Sequence, residues 1–184
     1  MRSCGGPVDP DLGRDQTKAA KWAAFPTPPV TKTVVPTARE DENLVWRYTT
    51  QRPAEGWMKP EYEVASWSEG KAGFGTPGTP GAVVRTEWRT GDIWLRRSIT
   101  LPDPLPSHLA LRVHHDEDVE IYVNGVRAAS ASGYTADYEE LPLSATGRAA
   151  LQPGQNILAI HCHQTTGGQY VDAGLVTIEE AARP

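Results

Sequence analysis

Between residues 109 and 128 apolar and polar side chains alternate and then reach an Asn-Gly pair, a pattern that restricts this stretch to antiparallel β-structure. Leu109, Leu111 and Val113 interleave with Ala110, Arg112 and His114, and Val119, Ile121 and Val123 interleave with Glu120 and Tyr122. A period of two sends successive side chains to opposite faces of a strand. Asn124-Gly125 tolerates the positive φ angles of a two-residue hairpin turn, so Val126, Arg127 and Ala128 begin the return strand. Similar signatures mark residues 43–48, 83–88, 92–99, 156–164 and 170–178, with turns at Thr90-Gly91 and Gly167-Gly168. The 17 Gly and 16 Pro disfavour long helices, through chain entropy and a missing donor respectively. Short strands separated by regular turn signals predict an all-β sandwich or barrel.

The alternation also predicts faces. Leu111, Val113, Val119, Ile121, Val123, Leu158, Ile160 and Cys162 fall on core-facing rows, whereas Ile157, Ala159, His161 and His163 point the other way. Cys162 then reads as a small buried hydrophobe rather than a nucleophile. Trp46 and Trp94, within strands, read as core residues. Residues 51–81 place Trp57, Trp67 and Phe74 among six glycines, which predicts a long loop region pinned by its own aromatics.

Domain organisation follows from composition shifts. Residues 1–38 read as a flexible tail or linker, with a helix-prone stretch at 18–25 carrying Trp22 and Phe25, and prolines at 26, 28, 29 and 36 favouring extended chain. Residues 39–184 read as one β-domain, a size compatible with a single core. With 18 basic against 23 acidic residues the formal charge is −5, so the cationic surplus of a nucleic-acid binder is missing. No apolar run reaches the length of a membrane span, and no apolar stretch follows Arg2 to make a signal peptide. Two cysteines, Cys4 and Cys162, are too few for a disulfide framework or a Cys-rich zinc site.

Several phrases, taken in order, resemble a known family. Residues 93–102, Ile-Trp-Leu-Arg-Arg-Ser-Ile-Thr-Leu-Pro, resemble the W-x-R-R-x-F-x-L-P strand of the sugar-binding domain of family 2 glycosidases. Residues 119–125 are similar to that domain's V-x-V-x-V-N-G hairpin, Gly133-Tyr134-Thr135 to its G-Y-T/S segment, and residues 151–160 to its L-x-x-G-x-N-x-L-A-V strand. A related non-catalytic module of extracellular bacterial proteins is similar around Trp67, Gly73-Phe74-Gly75 and residues 159–164, although residues 62–65 lack that module's paired acids. The resemblance covers residues 43–178. It implies a galactose-binding-like antiparallel jelly-roll β-sandwich of about eight strands and an extracytoplasmic, secreted or periplasmic, location.

The same resemblance implies a non-catalytic role, because family 2 catalysis resides in a separate barrel domain and 184 residues leave no room for one. Glu139 and Glu140 are adjacent and cannot flank a glycosidic bond, and no nucleophile elbow, Walker loop or H-E-x-x-H is present. The expected function is a carbohydrate-binding module of an extracytoplasmic carbohydrate-active enzyme. The alternatives are a domain that buttresses a neighbouring catalytic domain and, third, a stand-alone hydrolase. The expected partners are a glycan and an attached or neighbouring catalytic domain.

Sugar recognition needs flat rings for the C–H face of a pyranose and polar groups for its hydroxyls. Crowding of such groups around the last turn nominates His161, His163, Gln164, Gln169, Tyr170 and Asp172, with Trp88 and Tyr134 completing the wall. The ring of Tyr170 is expected to face solvent. No cofactor is required; a structural calcium ion, for which Asp116, Asp118 and Asp172 supply hard oxygens, is the candidate metal.

Overall fold

The computed structural model describes residues 29–179. The predicted helix-prone stretch with Trp22 and Phe25 lies outside them. Twelve strands occur among the described residues: β1 (Val30–Val35), β2 (Val45–Thr49), β3 (Ser68–Lys71), β4 (Phe74–Gly75), β5 (Thr86–Glu87), β6 (Asp92–Leu101), β7 (Leu109–Asp116), β8 (Asp118–Val123), β9 (Val126–Ala131), β10 (Glu139–Pro142), β11 (Gly154–His163) and β12 (Tyr170–Glu179). They form two six-stranded sheets. One runs β10-β7-β12-β4-β5 with β1 also paired to β12, and the other runs β3-β2-β6-β11-β8-β9. All pairings are antiparallel except β4 with β5. This is the predicted β-sandwich, consistent with a jelly roll. No helix among the described residues is long and apolar enough to cross a membrane.

The core lies between the sheets and uses the predicted rows. Leu111, Val113, Val171, Ala173 and Leu175 of one sheet meet Ile93, Leu95, Val119, Ile121, Val123, Leu158, Ile160 and Cys162 of the other, all buried. Burial pushes the Cys162 thiol up, which keeps it protonated and inert. The hairpin after β8 also matches expectation: Asn124 has φ 48° and Gly125 φ 87°, both positive as a type I′ turn requires. The Asn124 amide donates to Ala150 O and Asn156 Oδ1, each at 2.8 Å, and its carbonyl accepts from Ile157 N at 2.7 Å.

The structure corrects four expectations. Residues 30–38 are not linker: β1 pairs with the end of β12, and Val35, Thr37 and Ala38 are buried. The prolines bracket a β-branched run, Val-Thr-Lys-Thr-Val-Val, rather than interrupting it. The expected strand over 83–88 shrinks to Thr86–Glu87, while residues 51–81 contain β3 and β4. A short helix, Ala145–Ala150, absent from the sequence reading, starts at Ser144, whose Oγ accepts from Gly147 N at 3.0 Å. Finally, Trp94 is buried outside the sandwich core, on the outer face of its sheet with Trp57, Trp67 and Ala159.

Candidate functional site

Three neighbouring strands set the floor of a cleft on that outer face. In register, His161 of β11 stands opposite Trp94 of β6 and Glu120 of β8, and Ala159 stands opposite Arg96 and Tyr122. One step along, His163 faces Asp92 and Asp118. Residues paired across adjacent strands share a face, so Asp92, Trp94, Glu120, Tyr122 and His161 project together.

A loop supplies the wall. Residues 52–58 arch over the floor, and Trp57 packs edge-on against Tyr122 at 5.5 Å and stacks on Trp67 at 6.4 Å. The loop is pinned by Arg96, whose buried guanidinium donates to Lys59 O and Tyr62 O, each at 2.7 Å. Lys59 O also accepts from Tyr62 N at 3.1 Å, so Arg96 reinforces a turn that the backbone itself closes. The resulting cleft holds about 640 Å³ and is lined chiefly by Arg52, Glu55, Trp57, Asp92, Glu120 and His161.

Polar groups on the floor are mutually oriented. The His161 ring stacks on Trp94 at 4.8 Å and 7°, its Nε2 lies 2.8 Å from Asp92 Oδ1, and its Nδ1 lies 3.7 Å from Glu120 Oε2. His163 Nδ1 reaches the same Asp92 oxygen at 2.9 Å. Partial burial works to raise the Asp92 carboxyl, but the hydrogen bonds and charge of the two histidines outweigh it and hold the group below its ordinary value. Glu120 behaves alike: burial opposes, whereas the Tyr122 hydroxyl at 3.0 Å and Arg127 at 3.1 Å lower it. The Tyr122 phenol is pushed up to about 12 by burial and by its bond to Glu120. The floor thus presents two carboxylates, a hydroxyl and an imidazole between aromatic surfaces, a set able to accept and donate hydrogen bonds around a flat or ring-shaped ligand.

Of the eight residues nominated from sequence, only His161 lines this cleft, with His163 bracing Asp92 at its edge. Trp88 is buried in the sandwich core and donates to Thr90 Oγ1 and Asp92 O, pinning a turn. Gln169 is buried and donates to Thr90 O at 2.6 Å, while Gln164 donates to Thr166 O and Gly168 O, bracing the last turn. Tyr134 is 73% exposed, bridged to Asp116 at the end of β7.

Tyr170 corrects the expected solvent-facing ring: it is 0% exposed, and its hydroxyl lies 3.1 Å from that of Tyr138. Asp172 is buried beside it and accepts from Tyr138 at 2.7 Å and from Ala38 N at 2.6 Å. The calcium candidates do not converge either. Asp118 accepts from Gly133 N, Asp172 is engaged as described, and no group of three or more His, Cys, Asp or Glu side chains suited to a metal occurs among the described residues.

The sequence reading missed Asp92, Glu120, Tyr122, Trp94 and the 52–58 loop as site components. The outward direction of Glu120 and Tyr122 was readable from the alternation with Val119, Ile121 and Val123; that of Trp94, read as core, was not, nor was the flanking of β11 by β6 and β8.

No family model and no curated protein matches this chain. Its structure does resemble parts of solved ones. A glycosyl hydrolase family 2 member from Bacteroides cellulosilyticus aligns with a TM-score of 0.50 at 18% identity, over 71% of this chain and 20% of that chain. A β-glucuronidase from Bacteroides uniformis aligns with a TM-score of 0.53 at 18% identity, over 82% of this chain and 18% of that chain. Bacteroides uniformis β-glucuronidase 2, covalently bound to a cyclophellitol-6-carboxylate aziridine, gives 0.52 at 18%, with the same coverage. The chain spans about a fifth of the length of these structures, and the likeness is one of fold.

Proposed function

We propose that this chain is a non-catalytic carbohydrate-binding module whose ligand site is the outer-face cleft over β6, β11 and β8. The observation that carries this reading is the pairing of Trp57, Trp94 and Tyr122 with oriented Asp92, Glu120 and His161 in one concavity. Aromatic surfaces offer a platform for the C–H face of a pyranose, and fixed carboxylates accept its hydroxyls. The module would hold an extracytoplasmic carbohydrate-active enzyme near its glycan and raise its effective concentration there. Likeness to a fifth of much longer chains supports an attached or neighbouring catalytic domain, and it equally favours a second reading in which the domain buttresses that neighbour and binds no free sugar.

Titration calorimetry with soluble oligosaccharides decides between them. Binding in the range of about 10 µM to 1 mM, as suits an open cleft, is expected for the wild type. His161→Ala should weaken it at least about tenfold, since it removes the group that links Trp94, Asp92 and Glu120. Wild type that binds no oligosaccharide at millimolar concentration leaves the buttressing reading. A hydrolysis screen on the same sugars checks for activity, and none is expected.

A further inference from the structure

The charge inside the cleft is uneven. Glu55, Asp92 and Glu120 line it against Arg52, while Arg127, outside the lining, pairs with Glu120 Oε1 at 3.1 Å. Asp92 and Glu120 are both held ionised by their neighbours. Among the described residues Asp92 Oδ2 has no hydrogen-bond partner, because both histidines use Oδ1. Glu120 Oε1 and Oε2 accept one bond each, from Arg127 and Tyr122, and a carboxylate has about four acceptor positions. Trp57, Trp94 and Tyr122 line the cleft around these oxygens, with the Trp94 ring stacked on His161 and the Trp57 ring on Trp67. The open acceptor positions of Asp92 and Glu120 are complementary to a positive group with N–H donors, and an anionic sugar would be repelled by the same oxygens.

Resting on the carbohydrate reading above, we infer that the cleft selects an amino sugar, a hexose unit bearing a free protonated amine, as in a de-N-acetylated aminoglycan. The ammonium places its three donors among Asp92, Glu120 and Glu55, and the sugar ring lies against the aromatic wall. N-acetylation removes the charge, replacing an ion pair with a neutral amide. The partly enclosed setting makes that charge count for more than it would at an open surface.

The test compares β-1,4-linked tetrasaccharides of glucosamine, N-acetylglucosamine and glucose, together with a glucuronate-containing oligosaccharide. All are titrated at about pH 6, below the usual range for such amines. The glucosamine tetramer should bind at least about tenfold tighter than the glucose tetramer, and the glucuronate sugar should bind weakest. Glu120→Gln and Asp92→Asn should each pull the amine-to-neutral affinity ratio towards one. Glu139→Gln, which removes an exposed charge from β10 in the other sheet, should leave the ratio as it is. Neutral tetramers that bind as tightly as the amine overturn the inference while the carbohydrate reading stands. A ratio lowered equally by Glu139→Gln, or unmoved by both cleft variants, also overturns it, since the preference would then come from the acidic surface at large. If no tetramer binds, the carbohydrate reading itself fails. Melting curves on each variant identify one that has merely lost its fold; for such a variant, raising the salt on wild type replaces it, and a ratio that does not fall with salt counts against the ion pair.

Discussion

Arg96 shows how one side chain joins the fold to the site. It projects from the outer face of β6, yet it is buried because residues 59–62 close over it and give it their carbonyls. Arg96→Met keeps the stem and removes the donors, so stability should fall by about 2–3 kcal/mol in chemical denaturation, the scale of charged hydrogen bonds. Affinity for oligosaccharide should fall with it, because the wall carrying Trp57 loosens. Unchanged stability would mean that aromatic packing among Trp57, Trp67 and Tyr122 holds the loop by itself. The same face marks what was legible in advance. Alternation along β11 gave the direction of His161 correctly, whereas Trp94 read as a core residue and lies on the outer face, and direction is not exposure. Tyr170 and Asp172 also point away from the core, and they are buried because Ala38, Val83 and Tyr138 cover them. Which loops lie over an outer face depends on contacts distant in sequence, and a two-residue period carries no trace of these.

At the scale of elements, the β8–β9 hairpin was readable and the edges were not. The Asn124-Gly125 turn is specified locally, so Gly125→Val should cost about 1–3 kcal/mol, since a β-branched residue is forced to positive φ. Gly125→Asn should cost less, because Asn tolerates that region; equal losses for both would put the cause in contact with Lys59 instead. β1 behaves differently. It lies more than a hundred residues from its partner β12, and its pairing depends on Gly174, where a Cβ would stand 2.3 Å from the Val35 carbonyl oxygen. Gly174→Ala should therefore lower the melting temperature by several degrees, on the order of a 1–2 kcal/mol loss. Deleting residues 1–36, which a linker would tolerate, should cost far more than deleting residues 1–28, because only the former unpairs the edge of β12 and uncovers Leu175. Equal melting temperatures for the two truncations would show that β1 contributes little.

Across the whole molecule, Asp172 ties three distant parts of the chain together and gives stability a distinctive pH dependence. Its carboxyl, on β12, accepts from Ala38 after β1 and from Tyr138 before β10. Burial is the largest influence and pushes it up to about 6, against the opposing hydrogen bonds and the Arg97 charge. Its ordinary value in an unfolded chain is about 3.9, so the folded protein holds this proton more tightly. The sign follows: the stability this group contributes is fully present below about pH 4 and is lost as pH rises through about 6. A separation of about two units corresponds to roughly 3 kcal/mol. Asp92, Glu120 and Glu40 are lowered, so they act in the opposite direction, and their stabilisation is lost only as pH falls below the usual carboxylate range. Between about pH 4 and 6 His114, lowered by burial, loses stability as pH falls and Asp116, raised by burial, gains it, so the Asp172 contribution is read as a difference between wild type and a variant. Urea denaturation of wild type and Asp172→Asn at intervals from about pH 7 down to 4 isolates it, because the variant lacks the titrating group and keeps an acceptor for Tyr138 and Ala38. The stability difference should shift by about 3 kcal/mol in favour of wild type as pH falls through this window. A difference that stays constant with pH would mean that Asp172 is ionised in the folded protein with an ordinary affinity for its proton.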